Sequence, residues 1–188
     1  MLYIVGGASR CGKTTLAQQM LARHGVPWFS LDGLRVGLTR GLPSLGLDME
    51  RDDLVEAKGL WPVIRPMLSS IVYWDTDYLV EGSCLLPEDI AAFMAEHADE
   101  TVRTVFVGAP FLSPSEKLAQ MQAHTGGTND WFSDLSEEEQ ARHADYVVAN
   151  SRQINCLAQE AGLPSVDTGT DFQAGVEKVR DCLMRLTD

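Results

Sequence analysis

Gly7-Ala8-Ser9-Arg10-Cys11-Gly12-Lys13-Thr14 is the stretch of this chain whose residue types and spacing most clearly specify chemistry. It matches G-x-x-x-x-G-K-[ST] and lies between an apolar run and a helical pattern, the context in which that motif binds phosphate. Glycines let the backbone wrap tightly, so that successive N–H groups and the positive end of the following helix face a β-phosphate. Lys13 adds a point charge for the β- and γ-phosphates, and the Thr14 hydroxyl is placed to ligate Mg²⁺. Thr15 completes the stretch assigned to the nucleotide and begins the helix. The chemistry expected is capture of Mg²⁺-bound ATP, with Lys13 counted as catalytic as well as binding.

Further charged groups close two later apolar runs. Ser30-Leu31-Asp32-Gly33-Leu34-Arg35 puts Asp32 at the carboxyl edge of a sheet, beside the phosphate loop, where ligands of open α/β sheets gather. A carboxylate there either accepts the proton of an acceptor hydroxyl or orders the waters around the metal ion; the structural alternative is a cap on the next segment. Arg35 is assigned to an anionic group on the acceptor, while Arg40 is either a second such contact or a solvated charge. Tyr78-Leu79-Val80-Glu81-Gly82 ends in an acid at the position that holds magnesium through water in other P-loop proteins. Asp32 and Glu81 therefore divide the roles of base and metal-water holder in an order the sequence leaves open, and both are counted with the substrate contacts. A third catalytic cation is sought in a lid, yet between Thr128 and Asp145 there are six acids and Arg142 is the sole Arg or Lys. Arg142 is assigned that role, with Lys117 and Arg152 as further candidates and surface ion pairs as the alternative for each. Trp131 and Phe132 either cover an adenine or pack against the sheet.

These groups need a frame. Apolar β-rich runs at Leu2 to Val5, Pro27 to Leu31, Tyr78 to Glu81, Val102 to Val107 and Pro164 to Asp167 alternate with helical stretches, the pattern of a parallel sheet covered on both faces. Lys13 to His24 carries Leu16, Ala17, Met20 and Leu21 at helical spacing, and Gly25 with Pro27 stops it. The connection from Gly33 to Asp77 is long; it holds Leu38, Leu42, Leu45 and Leu47, then a helix predicted from Pro62 to Trp74. It reads as an inserted acceptor lobe, about 33–77. A lid is expected at about 113–145, hinged by the Thr125 to Thr128 tetrapeptide, before a long helix through Leu157.

Bulk properties narrow the class. At 188 residues the chain suits one domain spanning 1–188. Fifteen basic against 27 acidic residues give a net charge of -12, the wrong sign for gripping a nucleic-acid polymer and repulsive to anionic membranes. The amino terminus fits neither a signal peptide nor a membrane span, so a cytoplasmic address is expected. Cys11, Cys84, Cys156 and Cys182 form no CxxC pair and read as reduced thiols, mostly core filler. There is no Asn-Lys-x-Asp for guanine and no Leu-Ser-Gly-Gly-Gln signature, and the length is too short for two motor lobes. At this length the leading expectation is a kinase of small molecules, which needs only the phosphate loop, an acceptor lobe and a lid; the alternative is a nucleotide-dependent switch or regulatory ATPase with a protein partner, which the sequence does not identify.

With these motifs in hand, the chain resembles the P-loop small-molecule kinases of the adenylate-kinase-like fold. Ser30 to Arg35, Leu79 to Pro87 and Asn150 to Ala161 are together similar to the bacterial and archaeal 2-phosphoglycerate kinases. The resemblance implies an α/β, three-layer P-loop NTPase fold with a five-stranded parallel sheet and helices on both faces. It further implies ATP with Mg²⁺ as donor and transfer of the γ-phosphoryl to a hydroxyl or phosphate of a small acceptor. Against an acidic acceptor, the segment from Gly33 to Arg65 balances five basic with five acidic residues and is not an obviously cationic pocket.

Overall fold

Five parallel strands form the centre of the computed structural model, which describes residues 1–98, 102–125 and 131–184. They are β1 (Leu2–Gly7), β2 (Trp28–Ser30), β3 (Tyr78–Gly82), β4 (Val102–Gly108) and β5 (Ser165–Asp167), in the order β2-β3-β1-β4-β5. Every β1 residue is buried, because β1 is paired with β3 on one side and β4 on the other and covered on both faces. The chain leaves β1 toward β2 and β3, then crosses to β4 and β5, so the crevice for ligands opens above the carboxyl end of β1. The helices are α1 (Lys13–His24), α2 (Leu31–Gly41), α3 (Asp53–Val72), α4 (Pro87–Glu96), α5 (Pro114–Ala123), α6 (Glu137–Glu160) and α7 (Phe172–Met184). One face of the sheet carries α1 and α7, and the other carries α4 and α6. Among the described residues no helix is long and apolar enough to cross a membrane.

α2, α4 and α7 were not expected from the sequence, and two expected elements, β2 and α3, differ from their expected bounds. β2 is a three-residue edge strand with Phe29 exposed, because it pairs with β3 alone and Leu31 already turns into α2. α3 begins nine residues earlier than Pro62 and runs through Pro62 and Pro66. Asp52 accepts bonds from the Leu54 and Val55 amides and starts the helix there. Leu54, Ala57, Leu60, Ile64, Leu68 and Ile71 then form one buried stripe, whereas both prolines face solvent. Carbonyls on that outer side turn toward water, so the missing N–H groups cost less than breaking the stripe would.

Within 33–77, Leu38 and Leu47 pack against the core while Leu42 and Leu45 are exposed. The 113–145 segment contains α5, a short 3-10 turn at Trp131–Asp134 and the start of α6. The glycines of its tetrapeptide, Gly126 and Gly127, and Thr128 and Asp130 lie outside the described residues. Ser113 with Glu116, and Ser136 with Glu139, close reciprocal capping boxes that start α5 and α6. In each, hydrogen bonds from the serine hold the glutamate's pKa below its ordinary value. Cys11 and Cys84 are buried, Cys156 is exposed, and all four thiols are free.

Candidate active site

The phosphate loop joins β1 to α1 and is held by groups from across the sheet. Gly7 has φ 137°, and a side chain there would collide with the Val107 carbonyl oxygen; Gly12 has φ 89°, and a Cβ would lie 2.6 Å from the Phe172 ring. These positions require glycine, both for backbone angle and for space. Lys13 is buried, and its Nζ donates to the carbonyls of Gly7 at 3.1 Å and Ala8 at 2.8 Å and to Ser83 Oγ at 3.3 Å. Lys117 Nζ donates to the Arg10 carbonyl at 2.8 Å, and Thr168 Oγ1 donates to that of Cys11 at 2.9 Å. Four carbonyls of the loop are thus engaged by cations or a hydroxyl. The Arg10 guanidinium lies 4.7 Å from the Phe132 ring centre and 5.9 Å from that of Trp131.

Glu81, at the end of β3, is fully buried and accepts a 3.1 Å hydrogen bond from Thr14 Oγ1. Burial raises its pKa above the ordinary 4.5, opposed by Lys13 and reinforced by Asp32. Its second oxygen, Oε2, is buried without a partner. Glu81 and Thr14 therefore present hard oxygen donors, one unpaired, between phosphate loop and sheet. Mg²⁺ fits there in the manner it prefers, keeping several waters and drawing other ligands from phosphate, and no three-acid cage is found among the described residues. Asp32 occupies the first turn of α2, exposed and facing the same cleft; Ser30 provides the cap, accepting from the Asp32 amide at 3.4 Å. The capping alternative for the Asp32 side chain is thereby excluded.

The structure commits three arginines elsewhere. Arg35 is buried and does not line the cleft: Nη1 donates to Asp53 Oδ1 at 2.7 Å, and Nη2 donates to the carbonyls of Asp48 at 3.0 Å, Met49 at 3.4 Å and Arg51 at 3.1 Å. It ties the 46–52 loop to α3, and losing one partner of such a buried pair costs about 3–5 kcal/mol. Arg142 is a solvent-facing residue of α6 paired with Glu138 one turn away at 3.6 Å. Helical periodicity turns it outward, so the catalytic role assigned to it does not match its position. Arg152 donates to the carbonyls of Pro110 and Leu112. Of the candidate lid cations, Lys117 alone lines the cleft. Trp131 and Phe132 divide: Trp131 lines the cleft, while Phe132 is buried with Met121 and Ala144 in a small cluster rather than on the sheet.

The cleft has a volume of about 750 Å³ and gathers Ser9 to Thr15, Asp32, Ser83 and Lys117. Ser83, Thr168 and Phe172 escaped the sequence reading. Ser83 was detectable as the first polar side chain beyond the acid that ends β3; Thr168 and Phe172 follow the end of β5 with no motif to mark them.

No protein-family model and no curated protein matches the chain. Solved structures share its fold: a gluconokinase from Sinorhizobium meliloti has 18% identity over 96% of this chain and 90% of its own, with TM-score 0.57. A shikimate kinase from Bacteroides thetaiotaomicron has 17% identity over 98% and 99%, with TM-score 0.58. Another from Aquifex aeolicus has 12% identity over 97% and 96%, with TM-score 0.52. The fold shared with these kinases is five parallel strands flanked by helices.

Proposed function

We propose that this protein is a phosphotransferase that moves the γ-phosphoryl of Mg²⁺-ATP to a hydroxyl of a small molecule. The observation that carries the reading is the convergence of Lys13, Thr14, Glu81 and Asp32 at the carboxyl ends of β1, β3 and β2. Structural neighbours described as a gluconokinase and shikimate kinases support it, since each name denotes phosphorylation of a hydroxylated small molecule.

In this reading Lys13 exchanges its carbonyl contacts for the β- and γ-phosphates, and Thr14 with Glu81 would hold the metal ion, which would supply neutralisation of charge on the phosphates. Asp32, being exposed, accepts the acceptor's hydroxyl proton; the freed oxygen forms a bond to the γ-phosphorus as the bond to the bridging oxygen breaks, and ADP leaves with that electron pair. Arg10 and Lys117 supply the positive charge that Arg142 does not bring to the cleft.

The test is acceptor-dependent ADP formation by wild type, Lys13→Ala and Asp32→Asn across a panel of hydroxylated compounds. Lys13→Ala should lose nearly all turnover with its circular dichroism unchanged. Asp32→Asn should lower kcat by about 10²–10⁴ while ATP affinity is retained. Equal turnover by Asp32→Asn and wild type removes Asp32 from the mechanism.

A further inference from the structure

Arg10 is the sole non-glycine residue at positive φ among the described residues, with φ 52° in the left-handed region. A side chain is strained there, and a glycine would make the same turn without the strain. Such outliers persist where their surroundings fix them, and they gather at functional sites. The turn around Arg10 is fixed from two sides of the cleft. Lys117 Nζ, buried on α5, donates to the Arg10 carbonyl at 2.8 Å, and Thr168 Oγ1, just beyond β5, donates to the next carbonyl, that of Cys11, at 2.9 Å. Both contacts are to the backbone, so they hold the turn but do not account for an arginine in it.

The side chain supplies the reason. Arg10 is half-buried and lines the cleft together with Lys13, Thr14 and Asp32. Its guanidinium carbon lies 4.7 Å from the Phe132 ring centre and 5.9 Å from that of Trp131, so aromatic faces of the 131–134 turn keep the charge at the cleft wall.

Four basic side chains line the cleft: Arg10, Lys13, Lys117 and His124. Lys13 serves the β- and γ-phosphates as a point charge, and Lys117 Nζ is held on a loop carbonyl. His124 has Nδ1 2.8 Å from the Gln120 carbonyl, which leaves one ring nitrogen to face a ligand. Of the four, Arg10 alone carries a planar fork of donors that can hold two phosphoryl oxygens at once. A transferring phosphoryl group calls for that shape, because its transition state spreads charge over three equatorial oxygens.

Resting on the phosphotransferase reading and deepening it, we propose that Arg10 is a catalytic residue whose guanidinium turns from the Phe132 and Trp131 faces to hold two oxygens of the γ-phosphoryl during transfer. The cation is built into the phosphate loop three residues ahead of Lys13, so its delivery needs no arginine from the 113–145 segment, where Arg142 faces solvent. No atom passes to or from Arg10. The acceptor oxygen bonds to the γ-phosphorus, its proton passes to Asp32, and the bond to the bridging oxygen breaks with its electron pair leaving on ADP. The guanidinium contributes hydrogen bonds that are strongest in the transition state.

The experiment compares full-length wild type, Arg10→Gly and Arg10→Lys in two assays. One is ADP formation with a hydroxylated acceptor that the wild type uses; the other is affinity for Mg²⁺-ADP with and without fluoroaluminate, a mimic of the transferring phosphoryl group. Glycine accepts φ 52°, so Arg10→Gly should keep its circular dichroism and bind Mg²⁺-ADP within about threefold of wild type. It should lose about 10²–10³ in kcat and a similar factor in the extra affinity that fluoroaluminate confers. Arg10→Lys keeps the charge without the fork and should retain less than about a tenth of wild-type kcat. If Arg10→Gly loses affinity for Mg²⁺-ADP by as large a factor as it loses kcat, Arg10 only shapes the loop and the proposal is overturned. A kcat within about threefold of wild type in either variant also overturns it and leaves the phosphotransferase standing. Should Arg10→Gly lose its circular dichroism, Arg10→Lys decides by the same split between kcat and Mg²⁺-ADP affinity. Wild type that forms ADP with no acceptor removes the phosphotransferase reading, and the role of Arg10 with it.

Discussion

Glu81 carries the clearest conflict between stability and site chemistry in the molecule. It is buried, one carboxylate oxygen has no partner, and burial raises its pKa above the ordinary value. An acid that holds its proton more tightly folded than unfolded loses stability as pH rises, beginning near the unfolded value of 4.5 and ending above the folded one. At neutral pH that cost is present in nucleotide-free protein. Glu81→Gln should therefore raise the Tm of the nucleotide-free form by about 2–4 °C, equivalent to about 1 kcal/mol at this size, while lowering phosphotransfer. Thermal unfolding at pH 5 and pH 7.5 checks the sign: the advantage of the variant should grow with pH, and a variant less stable at both values removes the conflict. Cys84, by contrast, has its thiol pushed up to about 12, first by burial and then by Asp53, and stays protonated and inert.

At the scale of the element, α3 shows a buried stripe overriding local preference. Pro62 deprives Lys58, and Pro66 deprives Pro62, of an intrahelical donor, and an interior helical proline costs about 3 kcal/mol relative to alanine. Both face solvent, so Pro66→Ala restores an amide without disturbing the core. The variant should be about 1–3 kcal/mol more stable, read from the midpoint of urea unfolding at unchanged m. An unchanged or lower midpoint would mean that α3 needs its bend to keep Leu54 to Ile71 on the core.

The whole molecule sets a strongly acidic chain around a locally cationic cleft. Net charge is -12, whereas Arg10, Lys13 and Lys117 face Asp32 within the cleft. Self-repulsion of the acidic surface opposes folding, and salt screens it as the Debye length falls from about 30 Å at 0.01 M to about 8 Å at 0.15 M. Tm without nucleotide should therefore rise by about 2–5 °C over that range, measured with NaCl at pH 7.5. A fall in Tm would show that exposed ion pairs such as Arg65–Glu96 outweigh the repulsion.

The phosphate loop, Asp32, Glu81 and the five strands were legible in the linear chain, because each is local. A strand needs a short apolar run, the loop needs glycines at fixed spacing, and an acid that ends a strand is placed by the strand alone. The start of α3 was not legible, because two prolines mark a boundary that distant core contacts erase. Arg35 and Arg142 have the right charge for a site, but what they touch depends on the 46–52 loop and on the outward face of α6. Ser83 enters the site because β3 lies beside β1, and the Asp53 amide of α3 meets the Tyr146 hydroxyl of α6 because those two helices come together there. Local sequence thus determined the phosphate-loop end of the cleft. What lies around the rest of it was decided by tertiary structure, since only packing shows which charges are already spent and which side chains reach the cleft.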